Sequence, residues 1–250
     1  MSEIVKTEAV VLSKMNYGDS SSIASLFTED FGKITVIVKG ARSPKSKYGR
    51  VVDPLNYLSV VLYKKESREV QLLSQADIIE HYSKIKNDLI KLSYAYAVVE
   101  LVKNLLAEHE TNKKIFRAIV KILGRFNLSE EKPEITFGRF FIFFLKEIGY
   151  EIQTDSCSIC GKNSFASNVY YNFDKSLICS ECRNSVVDNY EINLELLEYL
   201  NCLKNNESAL NFGNLTIKKA IAFMESHLKY QVPDFKGISS IKLFNERLLN

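Results

Sequence analysis

At 250 residues the chain has room for one large domain or two to three small ones, and 46% apolar with 25% charged residues is an ordinary globular composition. No run approaches the roughly 18 consecutive apolar residues of a membrane span. The start, Met-Ser-Glu-Ile-Val-Lys, lacks the basic-then-apolar pattern of a secretory signal, so the expected location is the cytoplasm. The net charge of +3 says little about partners, but its distribution says more: residues 1–80 sum to +1, 81–150 to +4 and 151–250 to −2.

The first 80 residues read as strands. Val5, Thr7, Ala9 and Val11 alternate with Lys6 and Glu8 at the period of two that a strand requires. Asn16 to Asp19 reads as a turn, Ser22 to Phe27 as a second strand, and Glu29 to Gly32 as a second turn with Gly32 suited to positive φ. Ile34, Val36 and Val38 mark a third strand, Leu58, Val60 and Leu62 a fourth, and Val70 to Leu73 a fifth. Between the third and fourth, Gly40 to Pro54 is a loop by its glycine, serine, proline and charge content. Five short strands with one long basic loop fit a small closed barrel of the OB type.

From His81 the period becomes helical. Leu89, Leu92, Tyr96, Val99 and Lys103 share one face, and Thr111 reads as the N-cap of a helix carrying Ile115, Ile119, Ile122 and Phe126. Pro133 fits the first turn of a third helix, in which Phe137, Phe140, Phe141 and Phe144 form an apolar stripe that reads as core and ends near Gly149. Residues 151–188 are turn-rich, with a β-like run at 168–173. Three later helices are expected, capped by Asn193, Thr216 and Ser240. The expected organisation is an α+β multidomain chain: an OB-fold barrel over 1–80, an α-helical domain over 81–150 and 189–250, and an inserted four-cysteine zinc-finger module over 151–188.

The cysteines carry the strongest signal. Cys157-Ser-Ile-Cys160 and Cys179-Ser-Glu-Cys182 stand 18 residues apart, and Cys202 lies alone in a helical pattern. A Cys-x-x-Cys turn delivers two thiolates from one knuckle, and two knuckles at ribbon spacing make the tetrahedron of a structural zinc site. Four thiolates close the shell, which argues against a catalytic zinc. Two pairs at this spacing likewise argue against a redox-active pair.

No catalytic constellation is legible. The chain lacks a Walker-type phosphate loop and a Gly-x-Ser-x-Gly elbow, and His81, His109 and His227 are scattered. Glu29-Asp30 and Glu130-Glu131 read as solvated carboxylates in polar turns. By contrast, Lys33 to Val52 holds Lys33, Lys39, Arg42, Lys45, Lys47 and Arg50 with no acid at all. On an OB barrel such groups follow a nucleic-acid backbone while aromatics stack on bases. Tyr48 sits among the cations, and Tyr17, Phe31, Tyr57 and Tyr63 are further aromatics, with core packing the better reading for Phe31.

These residues resemble the RecO family of bacterial recombination mediators. The resemblance rests on Glu8 to Leu12 with Tyr17-Gly18-Asp19-Ser20, on Leu26-Phe27-Thr28 through Phe31-Gly32-Lys33 to Lys39-Gly40-Ala41-Arg42, on Ser46 and Pro54, and on the cysteine quartet. The family resemblance implies an OB-fold, a helical domain and often a zinc finger. It also implies binding to single- and double-stranded DNA, annealing of complementary strands without ATP, and action with RecR. It further implies loading of RecA onto strands coated by single-strand-binding protein, whose C-terminal tail docks on the mediator, in the cytoplasm at the nucleoid. Carried onto matching positions, the DNA-facing group is Lys39, Arg42, Lys45 and Lys47, with Arg50 beyond the best match. A different zinc-ribbon nucleic-acid binder and an enzyme of unrecognised motif stay open as alternatives.

Overall fold

The computed structural model describes residues 3–242, and the helix expected from Ser240 runs beyond them. By contact density the chain divides into two units. One holds the chain through Glu130 together with the segment from Ile238, and the other holds Glu131–Gly237.

Five strands close the barrel of the first unit: β1 (Glu3–Tyr17), β2 (Ser21–Thr28), β3 (Gly32–Val38), β4 (Tyr57–Lys64) and β5 (Val70–Glu80), in the order β1-β2-β3-β5-β4. β1 is longer than its alternation suggests. Its first half pairs with β4 (Glu3↔Lys64 to Val10↔Tyr57) and its second with β2 (Ala9↔Thr28 to Tyr17↔Ser21). An irregularity between Val11 and Ser13 bends it, and an extra residue there raises local twist, so one strand serves two neighbours. The parallel pairing of β3 with β5 completes the closure and leaves no free edge. Val5, Ala9, Val11, Ala24, Leu26, Val36, Leu58, Val60 and Leu62 fill the interior. Each buried valine or leucine among them contributes about 1.5–3 kcal/mol.

Three helices follow: α1 (Ser83–Lys86), α2 (Leu89–Leu105) and α3 (Lys113–Leu128). The Asp88 carboxylate caps α2 by accepting from Ile90 N at 2.9 Å and Lys91 N at 3.0 Å. α3 starts one residue later than expected. Asn112, a stronger cap than threonine, accepts from Ile115 N at 2.9 Å, and Thr111 stays exposed outside the helix. Phe116 seats α3 on the barrel, its ring centroid 6.0 Å from that of Phe27 and 6.3 Å from that of Tyr57.

The α2–α3 connection lies along the start of β3, where His109 N donates to Lys33 O at 2.9 Å. Gly32 sits there with φ +64°, and a Cβ added to it would lie 2.2 Å from the Glu110 carbonyl oxygen. Both the backbone conformation and the close approach exclude a side chain. Gly32→Ala is expected to cost about 3–5 kcal/mol in urea unfolding. A loss below about 1 kcal/mol would show that this crossing is not rigid.

The second unit contains α4 (Pro133–Glu147), α5 (Leu194–Lys204), α6 (Asn214–Gln231) and a three-stranded sheet, β7-β6-β8, from β6 (Val169–Asn172), β7 (Ser176–Ile178) and β8 (Tyr190–Ile192). Pro133 opens α4, and Phe137, Phe140, Phe141 and Phe144 are all buried, as the stripe requires. Asn193 caps α5 by accepting from Leu196 N at 2.9 Å. α6 begins earlier than expected, with Gly213 at the cap. The Thr216 hydroxyl is instead 2.7 Å from Glu195 Oε1, so it joins two helices rather than starting one.

Candidate nucleic-acid interface and four-cysteine centre

The β3–β4 connection is anchored from below and charged above. Ala41, Val52 and Leu55 are buried, and Tyr48 and Val51 pack against the barrel interior. The Tyr48 hydroxyl donates to Ser74 O at 3.3 Å. The Ser46 hydroxyl accepts from the amides of Tyr48 and Gly49 at 3.2 and 3.1 Å, which closes a local turn. Gly49 passes so close to Ala41 that a Cβ would lie 2.5 Å from the Ala41 carbonyl oxygen.

Two side chains that sequence reasoning did not single out hold the far end of this loop. Lys14 donates to Gly49 O at 2.6 Å and to Asp53 Oδ1 at 2.7 Å. Asn56, fully buried, donates to Val51 O at 2.8 Å and accepts from Lys86 Nζ at 2.5 Å. The Lys14 contacts and the Asn56–Lys86 contact cross at least 30 residues of sequence, so no local pattern marks them.

Above this framework Lys39, Arg42, Lys45, Lys47 and Arg50 are exposed, and among the described residues none of the five pairs with a carboxylate. Arg42 is fixed in place: its guanidinium donates to Gly18 O at 2.8 Å and its amide to Ser20 O at 2.8 Å. That brings the loop to the β1–β2 turn, where Tyr17 is 53% exposed.

Lys33 is set apart from the other cations. It is 8% exposed, donating to Lys103 O at 2.7 Å and pairing with Glu108 at 3.3 Å. A buried ammonium with two partners braces β3 against the α2–α3 connection and is not available to a phosphate. Tyr48, too, is committed to the barrel as a loop anchor. Phe31 packs on the interior with Lys64 Nζ 5.3 Å from its ring centroid. The Tyr57 hydroxyl bonds the Glu8 carboxylate, and Tyr63 is half-buried.

In the second unit the Sγ atoms of Cys157, Cys160, Cys179 and Cys182 all lie within 4.8 Å of one another. The first knuckle closes with Gly161 at φ 77°, its amide donating to Cys157 O at 2.9 Å. The second lies at the start of a 3-10 turn, Ser180–Ser185. Tyr170, Ile178, Phe165 and Val186 surround the cluster with apolar surface. Metal–sulfur bonds of about 2.3 Å in a tetrahedron place sulfurs about 3.8 Å apart, and Cys160 and Cys179 Sγ are 3.7 Å apart. The Cys179 amide reaches Cys157 Sγ at 3.4 Å. Burial opposes ionisation of Cys157, but the amides of Cys160, Cys179 and Ile159 outweigh it and hold the thiol below its ordinary range. Donor set, spacing and amide support therefore fit a bound metal ion. Cys202 lies outside the cluster, 3.9 Å from Glu207 Oε2.

Two family models cover the chain in the order in which these features occur. Residues 1–82 match the recombination protein O N-terminal family and residues 86–236 the recombination protein O C-terminal family. The chain belongs to the recombination protein O family. It is 35% identical over 159 residues to the DNA repair protein RecO of Chlorobium limicola, covering 64% of this chain and 61% of that one. It is 38% identical over 129 residues to the RecO of Salinibacter ruber, 52% of this chain and 50% of that one. With the RecO of Thermoanaerobacter it is 27% identical over 96% of this chain and 98% of that one. The stretch aligned with the first two relatives thus spans half to three-fifths of their length. No helix among the described residues is long and apolar enough to cross a membrane.

Proposed function

We propose that this protein is a non-enzymatic DNA-repair mediator of the cytoplasm and nucleoid. It binds single- and double-stranded DNA, anneals complementary strands without ATP and, with RecR, helps load RecA onto strands covered by single-strand-binding protein. The tail of that protein is a further expected partner. The observation that carries the reading is a set of exposed cations (Lys39, Arg42, Lys45, Lys47 and Arg50), without a carboxylate partner among the described residues, on a loop clamped to an OB barrel. Clamping matters because a pre-ordered loop loses little entropy when it meets a backbone. Tyr17, beside Arg42, is the aromatic best exposed for stacking on a base.

Annealing requires no bond chemistry. Two phosphate backbones repel, and a surface that neutralises several phosphates while leaving base edges free lowers that barrier. The metal is proposed to be zinc, held by Cys157, Cys160, Cys179 and Cys182 in a structural role. The division into barrel (1–80), helical domain (81–150 and 189–250) and zinc module (151–188) is proposed as the functional one.

Fluorescence anisotropy with single-stranded DNA across a salt series, with annealing followed in the same samples, tests this reading. Affinity should fall with salt at a log–log slope near −0.7 per phosphate neutralised, and complementary strands should anneal without nucleotide. Salt-insensitive or absent binding without annealing would overturn it.

A further inference from the structure

The net charge of +4 over residues 81–150 has a local source in α3. Its sequence, KKIFRAIVKILGRFNL, holds five cations and no acid. Ile115, Phe116, Ile119, Ile122, Leu123 and Phe126 are buried and turn one face toward the rest of the unit. The other face presents Lys113, Lys114, Arg117 and Lys121 to solvent, with Arg125 half-buried in the last turn. Lys113 is engaged with Asp30 at 2.8 Å, whereas Arg117, with 74% of its side chain exposed, only approaches Glu29 at 3.4 Å. Lys121 makes no ion pair among the described residues.

Gly124 lies on this face, three residues beyond Lys121 and seven beyond Arg117. A glycine inside a helix costs about 1 kcal/mol relative to alanine. Packing gives no reason for it here, because a Cβ at Gly124 would meet nothing within 4 Å. Glycine at an open position among cations lets the helix backbone come close to a ligand.

We infer that the exposed face of α3, from Lys114 to Arg125 around Gly124, is a second contact surface for a DNA phosphate backbone, separate from the 39–50 loop. The inference rests on the DNA-binding reading above and extends it. Lys114 to Arg125 spans about 16 Å of helix, the length of roughly five phosphates along one strand. Nucleic acid suits this face better than an acidic protein segment. Most peptide-recognition modes add apolar anchors to charge, and the face offers only Leu128 at its end. A backbone needs spaced cations alone.

The two surfaces lie at opposite ends of one hairpin. Arg42 joins the loop to the β1–β2 turn, whereas Lys113 and Arg117 reach the β2–β3 turn at Asp30 and Glu29. The β2–β3 ladder between them runs from Ser22↔Val38 to Thr28↔Gly32, about 20 Å of strand. One molecule can thereby hold two backbones at once, which annealing requires.

The test compares the full chain with three variants: Lys121→Glu/Gly124→Glu, Gly124→Ala, and Lys39→Glu/Lys45→Glu/Lys47→Glu in the loop. Anisotropy with a duplex probe is measured over a salt series, beside capture of a second labelled single strand by protein already saturated with a first. The α3 double variant should melt like the parent yet bind duplex about tenfold more weakly at 0.1 M salt, with a slope shallower by about 1. It should also fail to capture the second strand. Gly124→Ala should melt higher and still bind DNA more weakly, an opposition that a purely structural glycine would not produce. If both α3 variants bind like the parent while the loop variant loses affinity, the inference is wrong and the DNA-binding reading stands. Loss of a fluorescent oligoglutamate probe with DNA binding unchanged would also overturn it, in favour of an acidic protein partner. If the parent itself binds no DNA, the underlying reading falls and this inference with it.

Discussion

Reversing charge at Lys39, Arg42, Lys45 and Lys47 together should weaken single-stranded DNA binding by two to three orders of magnitude at about 0.1 M salt. At about 0.7 per phosphate contact, the log–log salt slope should become shallower by about 3. The loss should be similar for every sequence, because backbone contacts carry no base information. The fold should survive, since all four side chains are exposed and the loop is held by Ala41, Tyr48, Val52 and Leu55 from below. Lys33→Gln supplies the contrast. Its ammonium is spent on Lys103 O and Glu108, so this variant should melt lower with its salt slope unchanged. Anisotropy and thermal melts on the same preparations separate the two effects. A slope unchanged in the fourfold variant would show that the loop is merely a solvated surface.

Charge and spacing were legible because they are local properties of the chain. Lys39 to Arg50 announces its polarity without knowledge of any partner, and Cys157 to Cys182 shows metal spacing within 26 residues. Register and anchoring were not legible, because they depend on contacts across long sequence separations. The Lys14 strut to Gly49 and Asp53 and the Asn56 contact with Lys86 are of this kind. The alternation in β1 ends before the strand does because Val10, Val11 and Leu12 are all buried, where the strand changes neighbour. Thr111 and Thr216 have the side chain of a cap, but Asn112, one residue on, caps α3, and Gly213, three residues earlier, caps α6. Lys33 shows the limit most clearly. Its sequence context is that of the exposed cations, and only the α2–α3 connection lying over β3 turns it inward.

Cys157→Ser should abolish stoichiometric metal binding and unfold the module around it. Metal binding in small cysteine sites contributes on the order of 10–16 kcal/mol of apparent free energy, much of it folding free energy. The module has little else to rely on: its own apolar cluster is Cys157, Tyr170, Ile178 and Cys179 with Phe165, Cys182 and Val186 at the margin. The change also places a hydroxyl where Cys157 is 2% exposed, adding the cost of burying a polar group. β6 transmits the damage, because Tyr171 on that strand packs its ring 5.0 Å from Phe223 of α6. The melting temperature should therefore fall by more than about 10 °C, at about 4–8 °C per kcal/mol for a unit of this size. Chelation of the parent protein should reproduce the fall, and Cys202→Ser, outside the cluster, should not. A chromogenic zinc indicator added after thiol modification should report one equivalent from the parent and none from Cys157→Ser. A visible absorption band in the purified protein would identify iron instead of zinc, whose filled d shell gives none. DNA affinity should change far less than stability, because residues 151–188 carry five acids against three basic residues, and four thiolates around one divalent ion add further negative charge. Equal melting temperatures with and without metal would show that the four sulfurs do not hold a structural ion.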